Sequence, residues 1–332
     1  MKEIIENATN GVVPSVRELE TASRYFWEIG LPALETAFPN HIDRIAAGLV
    51  AAGSDYTNND DEISRDSDWG PRFQVYLTRS DYAEIGDSVQ ALLNNLPNEF
   101  YGVRCCTIDG SANRVFSVDG FFRVMTSNGV GQGFEYAPES ALDWLKIPEP
   151  CLFEISRGQV FYDPQGDFTA RRRGFTSYYP NDVWHKRIAA ALVDFGTQGH
   201  KNLICSLERR DFYTAEMSWW RFTELAMRLG FLLNRRYYPS QKWLYREFCR
   251  LPKFSAEVAN LLWEGQCDAC VRPELVHQIT AIYNGALREL NLTQEDLNGT
   301  FDSFVKRAED VSASITDPDV ASLAVWVDTV VS

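Results

Sequence analysis

Histidine is scarce, with 4 in 332 residues. His41, His185, His200 and His277 each stand in a different setting, so no nucleophile–base triad is visible. Basic charge is short as well: 32 Lys and Arg face 46 Asp and Glu, a formal net charge of -14. That balance repels a phosphate backbone and argues against DNA or RNA as a partner. Long apolar runs are missing. Met1 to Glu6 hold no signal core, and Ile45 to Gly53 is far too short to span a bilayer. A cytoplasmic protein without a membrane partner is expected. The 7 cysteines are an odd, scattered set, which suits free thiols better than a disulfide framework. Cys267 and Cys270 form a lone C-x-x-C with only His277 near, too few ligands for zinc. They read as buried helix-end thiols. Gly131-Gln132-Gly133 lacks the Gly-Lys-Ser/Thr of a P-loop. No internal repeat or low-complexity segment is seen.

What remains is a chain with 45% hydrophobic residues, long enough for two domains. Residues 14–38 have helical spacing, interrupted at Pro32. Asp68 to Leu77 reads as a strand and Ser80 to Leu96 as a helix. Two further strands, Tyr101 to Ile108 and Arg114 to Phe122, are expected to pair as a hairpin around Gly110 to Asn113. Leu152 to Ile155 and Gln159 to Tyr162 suggest a second hairpin. After Tyr179-Pro180 the pattern turns helical, and residues 213–235 are apolar almost all round, as in the central helix of a bundle. Trp219, Trp220 and Trp243 read as helical core. The fold class expected is α+β. A mixed sheet with flanking helices (1–175) is followed by a helical bundle (176–332).

The chemistry is concentrated between Gly53 and Asp68. Gly53-Ser54 offers close backbone approach and a hydroxyl. Asp66 and Asp68 are one residue apart at the head of an apolar strand, so both carboxylates can face one point. Mg²⁺ takes hard oxygen ligands, often one or two carboxylates plus substrate phosphates. A two-metal site needs a third acid. Asp119 is the first candidate, read as mid-strand beside Gly120. A charge on the open face of an edge strand is the rival reading. Glu154 and Asp163 are alternatives, and Asp163 also suits a cap for the turn at Pro164 to Gly166. Arg65 and Arg72 flank the acidic pair and can neutralise phosphates. Lys242, at a helix start in the second domain, can do so from across a cleft or be an ordinary surface cation. Arg171-Arg172-Arg173 reads as a solvated face.

Gly53-Ser54 with Asp66-Ser67-Asp68 resembles the signature of the nucleotidyltransferase superfamily that includes kanamycin nucleotidyltransferase and DNA polymerase beta. Residues 60–73, Phe161 to Pro164, Tyr178 to Trp184 and Tyr237 to Trp243 look like a nucleotidyltransferase-like family of bacterial and fungal proteins. The resemblance runs from about residue 15 to 250. It implies a small sheet carrying three acids and a helical domain closing over the cleft. Gly53 and Ser54 would hold phosphate, Asp66 and Asp68 metal, and Asp119 would be the third acid by strand order. Position 67, usually His in that family, is Ser67 here. A middle residue points away from the metals, so the chemistry survives the change. The expectation is transfer of NMP, with ATP as donor and two Mg²⁺ as cofactors, to a hydroxyl of a small molecule or protein. A silent nucleotide-binding or partner-binding protein of the same fold, and a metal-dependent phosphate-ester hydrolase, are the alternatives.

Overall fold

The computed structural model describes residues 16–51, 70–105, 113–127, 132–293 and 301–328. Gly53, Ser54, Arg65, Asp66 and Asp68 lie outside the described residues. The chain divides into two compact units, Met1–Ala137 with Cys151–Ser177, and Pro138–Pro150 with Tyr178–Ser332. Residues 138–150, assigned to the first domain from sequence, thus pack with the second unit.

The first unit is built on a four-stranded mixed sheet in the order β5-β2-β1-β6. The strands are β1 (Ala46–Leu49), β2 (Gln74–Leu77), β5 (Arg114–Ser117) and β6 (Gln159–Tyr162). Alternate residues of each strand face opposite sides. Ala47, Leu49, Val75, Leu77 and Val115 join a core with Tyr25, Phe26, Leu34, Ile85 and Val89. Those residues come from helices α1 (Val16–Tyr25), α2 (Leu31–Ala37) and α3 (Arg79–Asn94), and from the π-helical turn Phe26–Gly30 that joins the first two. On the other face Tyr76 stacks on Phe168 at 3.9 Å and meets Phe121 at 5.0 Å. These rings come from α4 (Val118–Ser127) and α7 (Asp167–Thr176).

Two sequence-based pairings are corrected. The strand at 114–117 pairs parallel with β2, in the register Gln74↔Arg114 to Leu77↔Ser117. Parallel neighbours need a long crossover, and α3 supplies it. The hairpin in this region is instead β3 (Glu99–Phe100) with β4 (Val103–Arg104). Tyr101 and Gly102 between them both have positive φ, 49° and 78°, as a two-residue type I′ turn requires. Residues 152–155 are not a strand. They belong to helix α6 (Glu149–Ser156), which leads straight into β6.

The second unit is helical. Its elements are α5 (Ala141–Trp144), α8 (Asn181–Gly196), α9 (Ile204–Glu208), α10 (Phe212–Leu233), α11 (Leu244–Phe248), α12 (Ser255–Cys267), α13 (Arg272–Glu289), α14 (Phe301–Ser312) and α15 (Pro318–Ala321). Helix α10 packs against α8, α12 and α13. Trp219 is fully buried, and a side chain at Gly265 would strike its ring. Its neighbour Trp220 is 54% exposed, contrary to the core assignment. Cys267 and Cys270 are exposed rather than buried. No described helix is long and apolar enough to cross a membrane.

Candidate functional site

Strands β1 and β2 are antiparallel, with Gly48 opposite Gln74. The chain therefore leaves β1 and enters β2 at the same end of the sheet. Neighbouring strands lie about 5 Å apart, so the β1 exit at Leu49 and the β2 entry at Gln74 are neighbours in the sheet. A buried side chain fastens the two. Gln74 Oε1 accepts the backbone N–H of Val50 at 3.0 Å and the hydroxyl of Tyr76 at 2.5 Å. Immediately beyond Val50, Ala51 adopts a left-handed φ of 54°, a conformation uncommon for a residue with a Cβ.

Strand β6 begins at this same end, since Gln159 pairs with Leu49. The turn before it, Ser156 to Gly158, presses on the β1 exit. A Cβ at Gly158 would lie 2.1 Å from the Leu49 carbonyl oxygen, and its φ of 83° favours glycine independently. Arg172 braces the turn by donating to the carbonyls of Ile155 (2.9 Å), Arg157 (2.9 Å) and Gly158 (3.1 Å). Glu154 lies in the last turn of α6, where its carbonyl accepts Arg157 N–H at 3.0 Å. Its carboxyl is half-buried and has no hydrogen-bond or ion-pair partner among the described residues. Burial raises its pKa above the ordinary value.

Asp119 is placed differently from the sequence reading. It lies in the first turn of α4, past the end of β5 rather than within a strand. Because β2 and β5 run parallel, that position is at the Leu77 end of the ladder. β2 begins at the opposite, Gln74 end. Asp119 is also engaged: Arg79 Nε donates to it at 2.9 Å, and Arg171 Nη1 donates to its other oxygen. Burial works against its charge, but the two guanidinium groups outweigh burial and hold the carboxyl below the usual range. The mid-strand placement of Asp119 is therefore corrected, and its charge is already shared with two arginines. The solvated-face reading of Arg171-Arg172-Arg173 is corrected for the first two, while Arg173 is exposed as expected. Arg171 pairs with Asp119 and Asp167 and sits 4.2 Å over the Tyr136 ring, while Arg172 braces the β6 turn. Asp163 accepts the N–H groups of Gly166 (3.0 Å) and Thr169 (2.8 Å), so it caps its turn as expected.

Arg72, two residues before β2, is 3% exposed, with Nη1 3.4 Å from the Gly70 carbonyl. Lys242 is exposed on a 3₁₀ turn of the second unit, its ammonium 4.8 Å from the Trp243 ring centroid. His41, Asp81 and Glu84 bring ligand atoms within 4.8 Å of one another. Arg44 already binds both Asp81 oxygens, at 3.0 and 2.8 Å, and lowers its pKa. A guanidinium in that position neutralises the charge that a cation would require.

Glu149 escaped the sequence reading. It is 2% exposed and accepts the Tyr238 N–H at 3.3 Å. Around it the second unit brings together two segments of one pattern, Tyr178-Tyr179-Pro180-x-x-x-Trp184 and Tyr237-Tyr238-Pro239-x-x-x-Trp243. The Tyr237 ring lies 4.9 Å from Tyr178 and 5.0 Å from Tyr179. The repeated heptapeptide was the available signal.

A family model described as a domain of unknown function (DUF4037) matches residues 144–244, a stretch that includes Glu149, Glu154 and both tyrosine segments. No curated protein matches the chain. No solved structure matches it.

The buried Gln74 amide offers a direct test of the fastening between β1 and β2. Gln74→Leu leaves the Val50 N–H and the Tyr76 hydroxyl without their shared acceptor. A loss of about 1–3 kcal/mol in unfolding free energy is expected by urea titration.

Proposed function

We propose that the chain is a metal-dependent nucleotidyltransferase with a nucleotidyltransferase-type sheet and a helical bundle domain. It moves an NMP, in the first instance AMP from ATP, onto a hydroxyl of a small-molecule or protein acceptor in the cytoplasm, and pyrophosphate leaves. The observation that carries this reading is the β1–β2 register. It puts the exit of β1 and the entry to β2 at one sheet end, which supports a site in the chain between them that grips both phosphate and metal.

Glu154 supports the same reading. A half-buried carboxyl without a cationic partner is unfavourable, and its place beside the β1 exit suits a third oxygen ligand to a divalent ion. In this reading Asp66, Asp68 and Glu154 would hold two Mg²⁺, which when bound would draw charge from the α-phosphate. Gly53 and Ser54 cradle the outer phosphates through a backbone N–H and a hydroxyl, and Arg65 and Arg72 offset their charge. The acceptor hydroxyl attacks the α-phosphorus, and a carboxylate of the site takes its proton.

The experiment is to incubate the protein with each NTP and Mg²⁺ and to measure pyrophosphate, inorganic phosphate and label incorporated into candidate acceptors. Pyrophosphate release that stops on chelation is the expected result. Inorganic phosphate without pyrophosphate would make the protein a hydrolase. Mg²⁺-dependent nucleotide binding without either product would make it a nucleotide-binding protein that does not turn over.

A further inference from the structure

The first three turns of α10 carry an apolar face that the other described residues leave open. Tyr213 is 89% exposed, Met217 72%, Phe212 65% and Trp220 54%. Residues 213, 217 and 220 follow the i, i+4, i+7 spacing of one helix face. Single exposed hydrophobic residues are ordinary, but four contiguous large ones are not. Side chains of this size present roughly 150–250 Å² each. At the observed exposures the four offer about 500 Å² per copy, so two such faces together approach the ~1,000 Å² that a specific interface needs.

The order of residues on this face says what covers it. A two-fold axis between Glu216 and Met217, with two α10 helices crossing antiparallel, sets each residue opposite its mirror position in the sequence. Tyr213 then meets Trp220 of the second copy, and Trp220 meets Tyr213. Phe212 meets Arg221, a cation over a ring. Met217 meets Glu216 of the second copy next to the axis, with the second Met217 close by, and a thioether adapts well to such a seam. The flanking charges are of both signs: Glu216 pairs with Arg272, and Arg221 with Glu224 at 2.6 Å. The face is thus complementary to itself, which an isologous contact requires.

We infer that α10 is the contact through which two copies of this chain form a homodimer. The inference does not depend on the proposed nucleotidyltransferase activity. The formal net charge of -14 per copy opposes pairing at long range, and salt screens that repulsion. Dimerisation therefore strengthens as salt is raised, the reverse of an association driven by opposite charges.

Sedimentation velocity of the full chain tests this. The expected result is a species of twice 37.8 kDa at concentrations of about 50 μM, corresponding to a micromolar dissociation constant, with more dimer at higher salt. Met217→Glu should weaken the dimer at least ~10-fold by burying two like charges at the axis, whereas Met217→Leu, close in volume, should keep it. Circular dichroism of each variant confirms that the fold is intact. The chain has 4 methionines, so methyl-labelled spectra read the position directly: the Met217 resonance should shift on dilution. A monomeric wild type under these conditions overturns the inference. So does a Met217→Glu dimer as tight as wild type, or a dimer whose formation leaves the Met217 methyl unmoved.

Discussion

Glu154→Gln should lower pyrophosphate release about 10³-fold, while Asp119→Asn should change it by less than about threefold; loss of a carboxylate that ligates metal or moves a proton has effects on the former scale. The two acids were rivals in the sequence, and the sheet separates them. Glu154 stands next to the turn that presses on the β1 exit, with a carboxyl that no arginine or lysine among the described residues neutralises. Asp119 stands at the far end of the β2–β5 ladder, with its charge already taken by Arg79 and Arg171. Asp66→Asn belongs with Glu154→Gln and should show a loss of the same order. Asp119→Asn should instead register in stability, as about 1–2 kcal/mol in urea, because a carboxylate 13% exposed between two guanidinium groups is lost. Steady-state assays beside denaturant titrations separate the two kinds of effect. Full activity in Glu154→Gln would remove Glu154 from the site.

The second large effect is expected in the helical unit. Burial is the main influence on Glu149 and pushes its carboxyl up to about 8, with Arg187 opposing that shift. In the unfolded chain the same group releases its proton near the ordinary 4.5. Between those two values the native state holds the proton and the unfolded state does not. Stability from this group is therefore full below about 4.5, declines as pH rises toward about 8, and is level above that. Glu149→Gln carries no ionisable proton and should remove the decline. Near pH 4.5 the variant and wild type should differ little. By pH 8.5 the variant should be the more stable by a few kcal/mol, with about 5 kcal/mol as the upper bound set by 1.36 kcal/mol per pKa unit before relaxation is allowed for. Urea unfolding at the two pH values decides the matter. A variant destabilised most at high pH would mean that an ionised Glu149 pairs with Arg187.

Much of the framework was legible because it rests on periodicity. The apolar repeat of residues 213–235 became α10 (Phe212–Leu233), and the alternation around Val75 and Leu77 became β2. Failures arose where local chemistry and tertiary pairing disagree. Gly110 to Asn113 is turn material, which suggests a hairpin, yet β5 takes its hydrogen bonds from β2 across the α3 crossover. Cys151-Leu152-Phe153 is an apolar run too short to tell strand from helix, and burial decided for helix. Asp119 looked costly inside a strand, but it is the first-turn acid of a helix, a position that favours negative charge. At the candidate site, residue types alone suggest phosphate and metal motifs. Choosing among Asp119, Glu154 and Asp163 needs strand direction, which no single sequence states. Trp220 was invisible as a surface residue because helical spacing alone does not tell which face a neighbour covers.

The Gln74 amide ties the exit of β1 to the mouth of β2 through a side chain as well as through the ladder. Each doubling of a connection's length adds only about 0.6 kcal/mol of closure entropy. The sheet therefore owes its register at this end to Gln74 and the strand pairing, and a change in the length of the chain between the two strands would cost it little.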